Sequence, residues 1–443
     1  MEIIKADFSK IIGKIKPLHG VNNGPKTRIF SCDMSKYFIE AGIPYSRLHD
    51  TEYPYGSGHF VDIPCIFPNF DADPEDPLAY DFTLTDEYIK AIVDVGTKVF
   101  YRLGVSIEHA SKKYNIYPPK DFDKWAKICA GIIKHYNKGW ADGFNYEIEY
   151  WEIWNEPENP PMWQGTKEEY FMLYAKTSKY LKSLFPHIKI GGYASCGFYS
   201  VTRENTSEFY KSFTTFFLDF LQYISAPEIN APLDFFSWHL YTDNIEEMAI
   251  HGEYAEVMLK KYGFDKTENI INEWNYINGK ADMFEQMKNT EAAAFIAGVF
   301  CALQKSPVDM GAYYDAQPAM QYCGIFNYNS PQKPFYSFKA FNSLYKLQNE
   351  VSILSEIGKI YVSAACNLGE GAILLSNYNG KDINILIEVS GFTSQNGVEA
   401  EYYLIDDENN LEFKYSEIYN GSIIKPIIKI MKNTVILIKL KTL

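Results

Sequence analysis

The stretch YEIEYWEIWNEPENP, Tyr146 to Pro160, sets five glutamates among tyrosines, tryptophans and isoleucines. Its middle, IEYWEIWNE (148–156), reads as a β-strand rich in aromatic and β-branched residues. Acidic side chains are rarely buried unless they are paired or used. Which of Glu147, Glu149, Glu152, Glu156 and Glu158 is surface and which is chemistry depends on where this strand sits in the fold.

Seven further short runs have the same β-like character. Three precede it: PLHGV (17–21), YSRLH (45–49) and KVFYRLG (98–104). Four follow: KIGGYA (189–194), FFSWHLY (235–241), NIINEW (269–274) and MGAYYD (310–315). Helical patterns lie between them. In 121–136, Trp125, Ile128, Cys129, Ile132, Ile133 and Tyr136 recur at three- and four-residue spacing, the stripe of an amphipathic helix. Thr166 and Glu169 have capping-box spacing ahead of YFMLYAKTSKYLKSLF, and Pro186 ends that helix. Further helices are expected near 209–224, 246–262, 289–305 and 334–347. Eight strands alternating with helices predict parallel pairing and a (β/α)₈ TIM barrel over 17–347. The segment 50–84, rich in Pro, Gly and Asp, is its largest insertion and reads as a loop over the top face. From 348 to 443 the runs KIYVSAACN, AILLSNYN, DINILIEVSG, EAEYYLIDD, IIKPIIKIM and TVILIKLKTL predict an all-β sandwich, to which residues 1–16 could add a strand.

Composition narrows the function. The 443 residues are 47% apolar and 22% charged, a globular balance. Acidic residues outnumber basic ones, 56 to 42, and the net charge of −14 argues against nucleic acid and anionic membranes as partners. No apolar run has membrane-spanning length, and MEIIKADFSKIIGKIKP lacks signal-peptide anatomy. Seven scattered cysteines without CxxC spacing read as reduced thiols, so a cytoplasmic location is expected. Neither a P-loop, nor GxGxxG opening a helix, nor HExxH is present, and GGYASCG around Ser195 misses the GxSxG elbow by one residue. The histidines never pair at metal-ligand spacing on one helix, Glu108 and His109 being merely adjacent. No metal and no cofactor are expected.

In a TIM barrel the active site lies at the C-terminal ends of the strands. Glu147 and Glu149 begin strand four, away from that face. Glu152 is mid-strand, where a structural ion pair is the better expectation, and Glu158 lies beyond the strand in a solvated position. Glu156 remains, beside Trp154 and Asn155. The same filter on strand seven selects Glu273, between Asn272 and Trp274. Either carboxylate alone could sit in an ion pair. Two at one barrel mouth suit glycosidic cleavage, which needs one protonated carboxyl and one ionised.

These residues also carry a resemblance. WEIWNEP, then MWQGTKEEY and KIGGYA, then SWHLYTD and NEWNY, resemble clan A glycoside hydrolases, and within that clan look most like family 39, the β-xylosidase and α-L-iduronidase family. The resemblance implies that Glu156 is the general acid/base and Glu273 the nucleophile. It implies that Asn155 bonds the hydroxyl next to the anomeric carbon, and that both it and Glu156 reach the pocket only if the strand end is irregular. His239 and Tyr241 would lie on the pocket floor, with Tyr241 a partner for Glu273. Arg47 and His49 would be scaffold or hydroxyl ligands, and Trp154, Trp274 and Tyr314 would line the subsites. Trp154, as an apolar wall, would raise the Glu156 carboxyl.

The implied activity is that of a retaining exo-glycosidase on plant-type oligosaccharides, β-xylosidase-like. The segments RLHDTEYPYGSGHFVDIP and YYDAQP keep open an α-L-arabinofuranosidase-type or other exo-glycosidase of the family. A catalytically inactive carbohydrate-binding barrel is the reading from another class. The expected partner is an oligosaccharide or glycoside, with room for a homo-oligomer.

Overall fold

The computed structural model describes residues 2–27, 32–51, 59–106, 112–318 and 321–443. Residues 52–58 of the insertion and the Glu108–His109 pair lie outside them. Eight parallel strands close into a barrel: Gly20–Asn22, Tyr45–Leu48, Lys98–Leu103, Tyr150–Ile153, Lys189–Ser195, Phe235–Thr242, Glu268–Tyr276 and Met310–Tyr313. They are called strands one to eight below.

The helices between them form where the sequence supplies both stripe and cap. Phe122–Lys138 starts on Asp121, whose side chain accepts from the N–H groups of Asp123 and Lys124, and stops at left-handed Gly139. Lys167–Leu184 carries the full capping box of Thr166 and Glu169. Helices Glu208–Ser225, Ile245–Lys261, Thr290–Gln304 and Lys333–Leu347 follow the expected spans. Two more, Ser35–Ala41 and Thr83–Asp94, were not singled out by periodicity, and the second begins inside the stretch expected to be loop.

The barrel interior is layered. Tyr45, Phe100, Tyr150, Phe235, Ile270 and Met310 pack against one another at the level where the strands begin, closing that end with apolar side chains. Period two then places Arg47, Arg102, Glu152, Ser237 and Asn272 in the layer above. Polar groups in the middle of a barrel persist only if they satisfy one another, and Glu152 accepts from Arg47, Ser237 and Asn272 at 2.5–2.7 Å.

Beyond the barrel and two small two-stranded sheets, ten strands form one sheet that includes Glu2–Lys14, which pairs antiparallel with Asn349–Leu354 and parallel with Ile383–Ser390. The sheet folds over itself. Ile385 and Ala400, on strands far apart in the sheet order, share a core with Ile4, Val362 and Ile373. Alternation puts Leu374, Val435 and Leu437 on the opposite face, in the same cluster as the barrel helix Thr290–Gln304. Architecture is therefore a TIM barrel with a β-sandwich docked on it. Two strands of this sheet were not expected. Asn349–Leu354 follows directly on the last helix. Asn410–Tyr419 is an edge strand exposed on both faces, so it carries no inside/outside signal.

Cys129, Cys196, Cys301, Cys323 and Cys366 form no disulfide, and no helix among the described residues is long and apolar enough to cross a membrane.

Candidate active site

Strand four ends irregularly. Trp154 has φ 72° and Glu156 φ 45°, both in the left-handed region that non-glycine residues seldom occupy. Room for the first turn comes from strand three, where Gly104 has φ 152° and an added Cβ would lie 3.0 Å from the Trp154 Cα. Because of these two residues, Asn155 and Glu156 both face the pocket, and alternation is broken as the resemblance required. Trp154 turns the other way. Its ring packs edge-on against Trp163 and its Nε1 donates to Met162 O at 3.0 Å. It is therefore not a pocket wall, which corrects the expectation made for it.

Strand seven breaks alternation differently. Its pairing with strand six slips between Ile271 and Glu273, so Asn272 and Glu273 both point into the barrel. Trp274 is thereby sent outward, edge-on to Phe300 and Tyr313. The expectation that Trp274 lines the subsites is likewise corrected, and for the same reason: one irregular residue reverses the side of every residue after it.

The two carboxylates meet across the barrel mouth. Carboxylate oxygens of Glu156 and Glu273 and a ring nitrogen of His239 lie within 4.8 Å of one another. His239 Nδ1 is 2.8 Å from Glu156 Oε1 and 3.3 Å from Glu273 Oε2. Tyr241 donates its hydroxyl to Glu273 Oε2 at 2.9 Å. Arg47 Nη1 reaches Glu273 Oε1 at 2.7 Å, its Nη2 reaches Asn155 Oδ1 at 2.7 Å, and its Nε reaches Glu152 Oε2 at 2.7 Å. With every face of its guanidinium engaged, Arg47 is scaffold for strands four and seven. The three clustered groups are close enough to touch one ion, but the Arg47 cation against Glu273 opposes a second positive charge there.

Around this pair several buried polar atoms have no partner among the described residues: Asn155 Nδ2, His239 Nε2, and Nε and Nη1 of Arg102. Buried polar groups are normally satisfied, so unpaired ones at a barrel mouth are sites for a polar ligand. Burial, with Arg47 and Arg102 nearby, holds the His49 imidazole well below its ordinary pKa. His49 Nε2 lies 3.7 Å from Glu273 Oε1. Tyr314 is buried and donates to Asp50 Oδ2 at 2.8 Å. Its ring, with those of Tyr241 and Tyr322, forms an aromatic wall with centroids 5.7–6.5 Å apart.

The Glu156 carboxyl also departs from expectation. Burial raises it, but the hydrogen bond and charge of His239, with bonds from Asn159 and Cys196, hold it below its usual value. The group facing it is an imidazole, not an indole. Glu158 was expected in solvent and is instead 8% exposed, accepting from Ser195 Oγ at 2.9 Å and Cys196 N at 2.7 Å. Glu149 behaves as expected, pairing with Lys189 at the far end of strand four. Sequence reasoning passed over Asn159, Cys196, Arg102, Asp50 and Tyr322. Only Asn159 carried a local signal, being three residues from Glu156.

The family model described as Glycosyl hydrolases family 39 matches residues 45–292, more than half of the chain. A β-xylosidase of Geobacillus stearothermophilus is 26% identical over 236 residues, 51% of this chain and 42% of the relative. A β-xylosidase of Caldicellulosiruptor saccharolyticus is 25% identical over 339 residues, 68% of this chain and 64% of the relative. The matches thus span less than two thirds of either relative. The crystal structure of a glucosidase from Croceicoccus marinus superposes with a TM-score of 0.80 at 19% identity, over 100% of this chain and 99% of that one. A matched segment that runs from strand two past strand seven, and so contains both glutamates, leaves one assignment: the chain belongs to glycosyl hydrolases family 39.

Proposed function

We propose that the protein is a retaining exo-glycosidase that removes terminal sugars from oligosaccharides, with β-xylosides as the first substrate class. The observation that carries the reading is the Glu156–Glu273 pair, whose oxygens approach within 4.8 Å. Carboxyl groups about 5–5.5 Å apart accompany retention, whereas inversion needs about 6.5–9.5 Å to admit a water. Glu156 gives its proton to the departing oxygen. Glu273, whose two oxygens both accept hydrogen bonds, attacks the anomeric carbon and forms a glycosyl-enzyme. Glu156, now ionised, takes a proton from the water that releases the sugar. Asn155, whose amide is fixed by Arg47 and whose Nδ2 has no partner among the described residues, bonds the neighbouring sugar hydroxyl in this reading.

The β-xylosidase relatives support a xyloside, and the glucosidase structure makes a glucoside worth testing. The test is turnover on nitrophenyl β-xyloside, α-L-arabinofuranoside and β-glucoside, with the anomer of the first product followed by NMR. Retention on one sugar supports the reading. An inverted product overturns the nucleophile assignment. Sugar binding without turnover on any member makes the protein a carbohydrate-binding barrel.

A further inference from the structure

Glu158 is a second carboxyl in the loop that carries Glu156, and the double-displacement chemistry leaves it without a role. Its Oε1 accepts two hydrogen bonds from the end of strand five, Ser195 Oγ and Cys196 N–H, while its Oε2 is buried with no partner among the described residues. Cys196 faces both ways. Its backbone N–H serves Glu158, and its thiol is one of the groups that lower the Glu156 carboxyl. The Glu156 N–H donates to Ala194 O at 3.0 Å, so the loop and the end of strand five are joined on both sides of the acid.

The join has a physical reason to exist. Trp154, Glu156 and Ala194 all hold positive φ without being glycine. Such backbone persists only where the surroundings over-determine it. We propose that Glu158 is a positioning residue for Glu156: a buried carboxyl that clamps the strand-four loop to the end of strand five, so that Cys196 and His239 hold the acid in place. The proposal rests on the reading of Glu156 as acid/base. The titratable groups that face Glu158 are Glu156, Cys196, Tyr170 and Tyr193, none of them a cation. Burial, helped by the charge of Glu156, pushes the Glu158 carboxyl up to about 8, which keeps it protonated at neutral pH.

The test is a series of aryl and alkyl glycosides of graded leaving-group ability, turned over by wild type, Glu158→Ala, Glu158→Gln and Glu156→Ala. In kcat/KM, which reports formation of the glycosyl-enzyme, a displaced acid harms only leaving groups that need its proton. Glu158→Ala is expected to lose on the order of 10²-fold in kcat/KM on alkyl glycosides, the low end of general acid catalysis. It should stay within about threefold of wild type on dinitrophenyl glycosides, which need no acid help. Glu158→Gln should recover most of the loss, because its amide oxygen accepts the same two hydrogen bonds without charge. If Glu158→Ala unfolds, Ser195→Ala removes one of the two donors and should show the same leaving-group pattern more weakly.

The proposal is overturned if the alanine variants lose nothing, or lose equally across the series. It is also overturned if Glu158→Gln is as impaired as Glu158→Ala. Absence of leaving-group selectivity in Glu156→Ala would instead remove the acid/base reading itself, and the proposal with it.

Discussion

His239 Nδ1 stands 2.8 Å from Oε1 of Glu156, so the carboxyl at the end of strand four shares its proton environment with an imidazole from strand six. Burial alone raises that carboxyl, and His239 reverses the shift. In His239→Gln the imidazole's charge is lost and burial is opposed only by the remaining polar neighbours, Asn159 and the Cys196 thiol among them, so Glu156 keeps its proton to higher pH. The alkaline limb of kcat/KM should move upward relative to wild type on a substrate with a poor leaving group. A limb that stays in place, or moves down, would mean that His239 does not set the ionisation of the proton donor.

The two glutamates should separate by their response to azide. Glu273→Ala should fall to background and regain turnover with azide, giving a glycosyl azide of inverted configuration. Glu156→Ala should lose about 10²–10⁴-fold in kcat/KM on alkyl glycosides and little in kcat/KM on activated ones, and azide should give the retained product. Identical product stereochemistry from both variants would show that the roles are not distinct.

Arg47 holds Glu152, Asn155 and Glu273 from one wholly buried guanidinium. Removing it strands two buried carboxylates, an event that costs about 3–5 kcal/mol when a buried pair loses a partner. Arg47→Met should show that loss in urea unfolding. Arg47→Lys should recover only part of it, since a point charge cannot serve acceptors spread around a planar fork. A loss under about 1 kcal/mol, the scale of an exposed pair, would contradict the buried network.

Glu158 predicts a pH-dependent stability. Folding raises its carboxyl from 4.5 to about 8, so the native state holds the proton more tightly than the unfolded chain. Its contribution is fully present below pH 4.5 and is lost as pH rises through 8. Glu158→Gln cannot ionise, so its Tm relative to wild type should climb between those limits. A difference independent of pH would show that Glu158 is charged throughout.

The sequence by itself determined the barrel, its eight strands and the two strand-end glutamates, because hydrophobic period and caps are properties of neighbours along the chain. It also carried the family, in the asparagine–glutamate pair of strand four and the glutamate of strand seven. Only the tertiary structure decided which way the flanking side chains face. The left-handed turn at Trp154 and the slipped register before Glu273 arise from contacts with strands three, five and six. Each of them reverses an inside-or-outside assignment made by alternation. For that reason both tryptophans leave the pocket. Glu158 is a case of another kind. A carboxylate two residues past the expected strand end has every local reason to be solvated, and only the packed end of strand five, from a segment 37 residues away, makes it a buried acid.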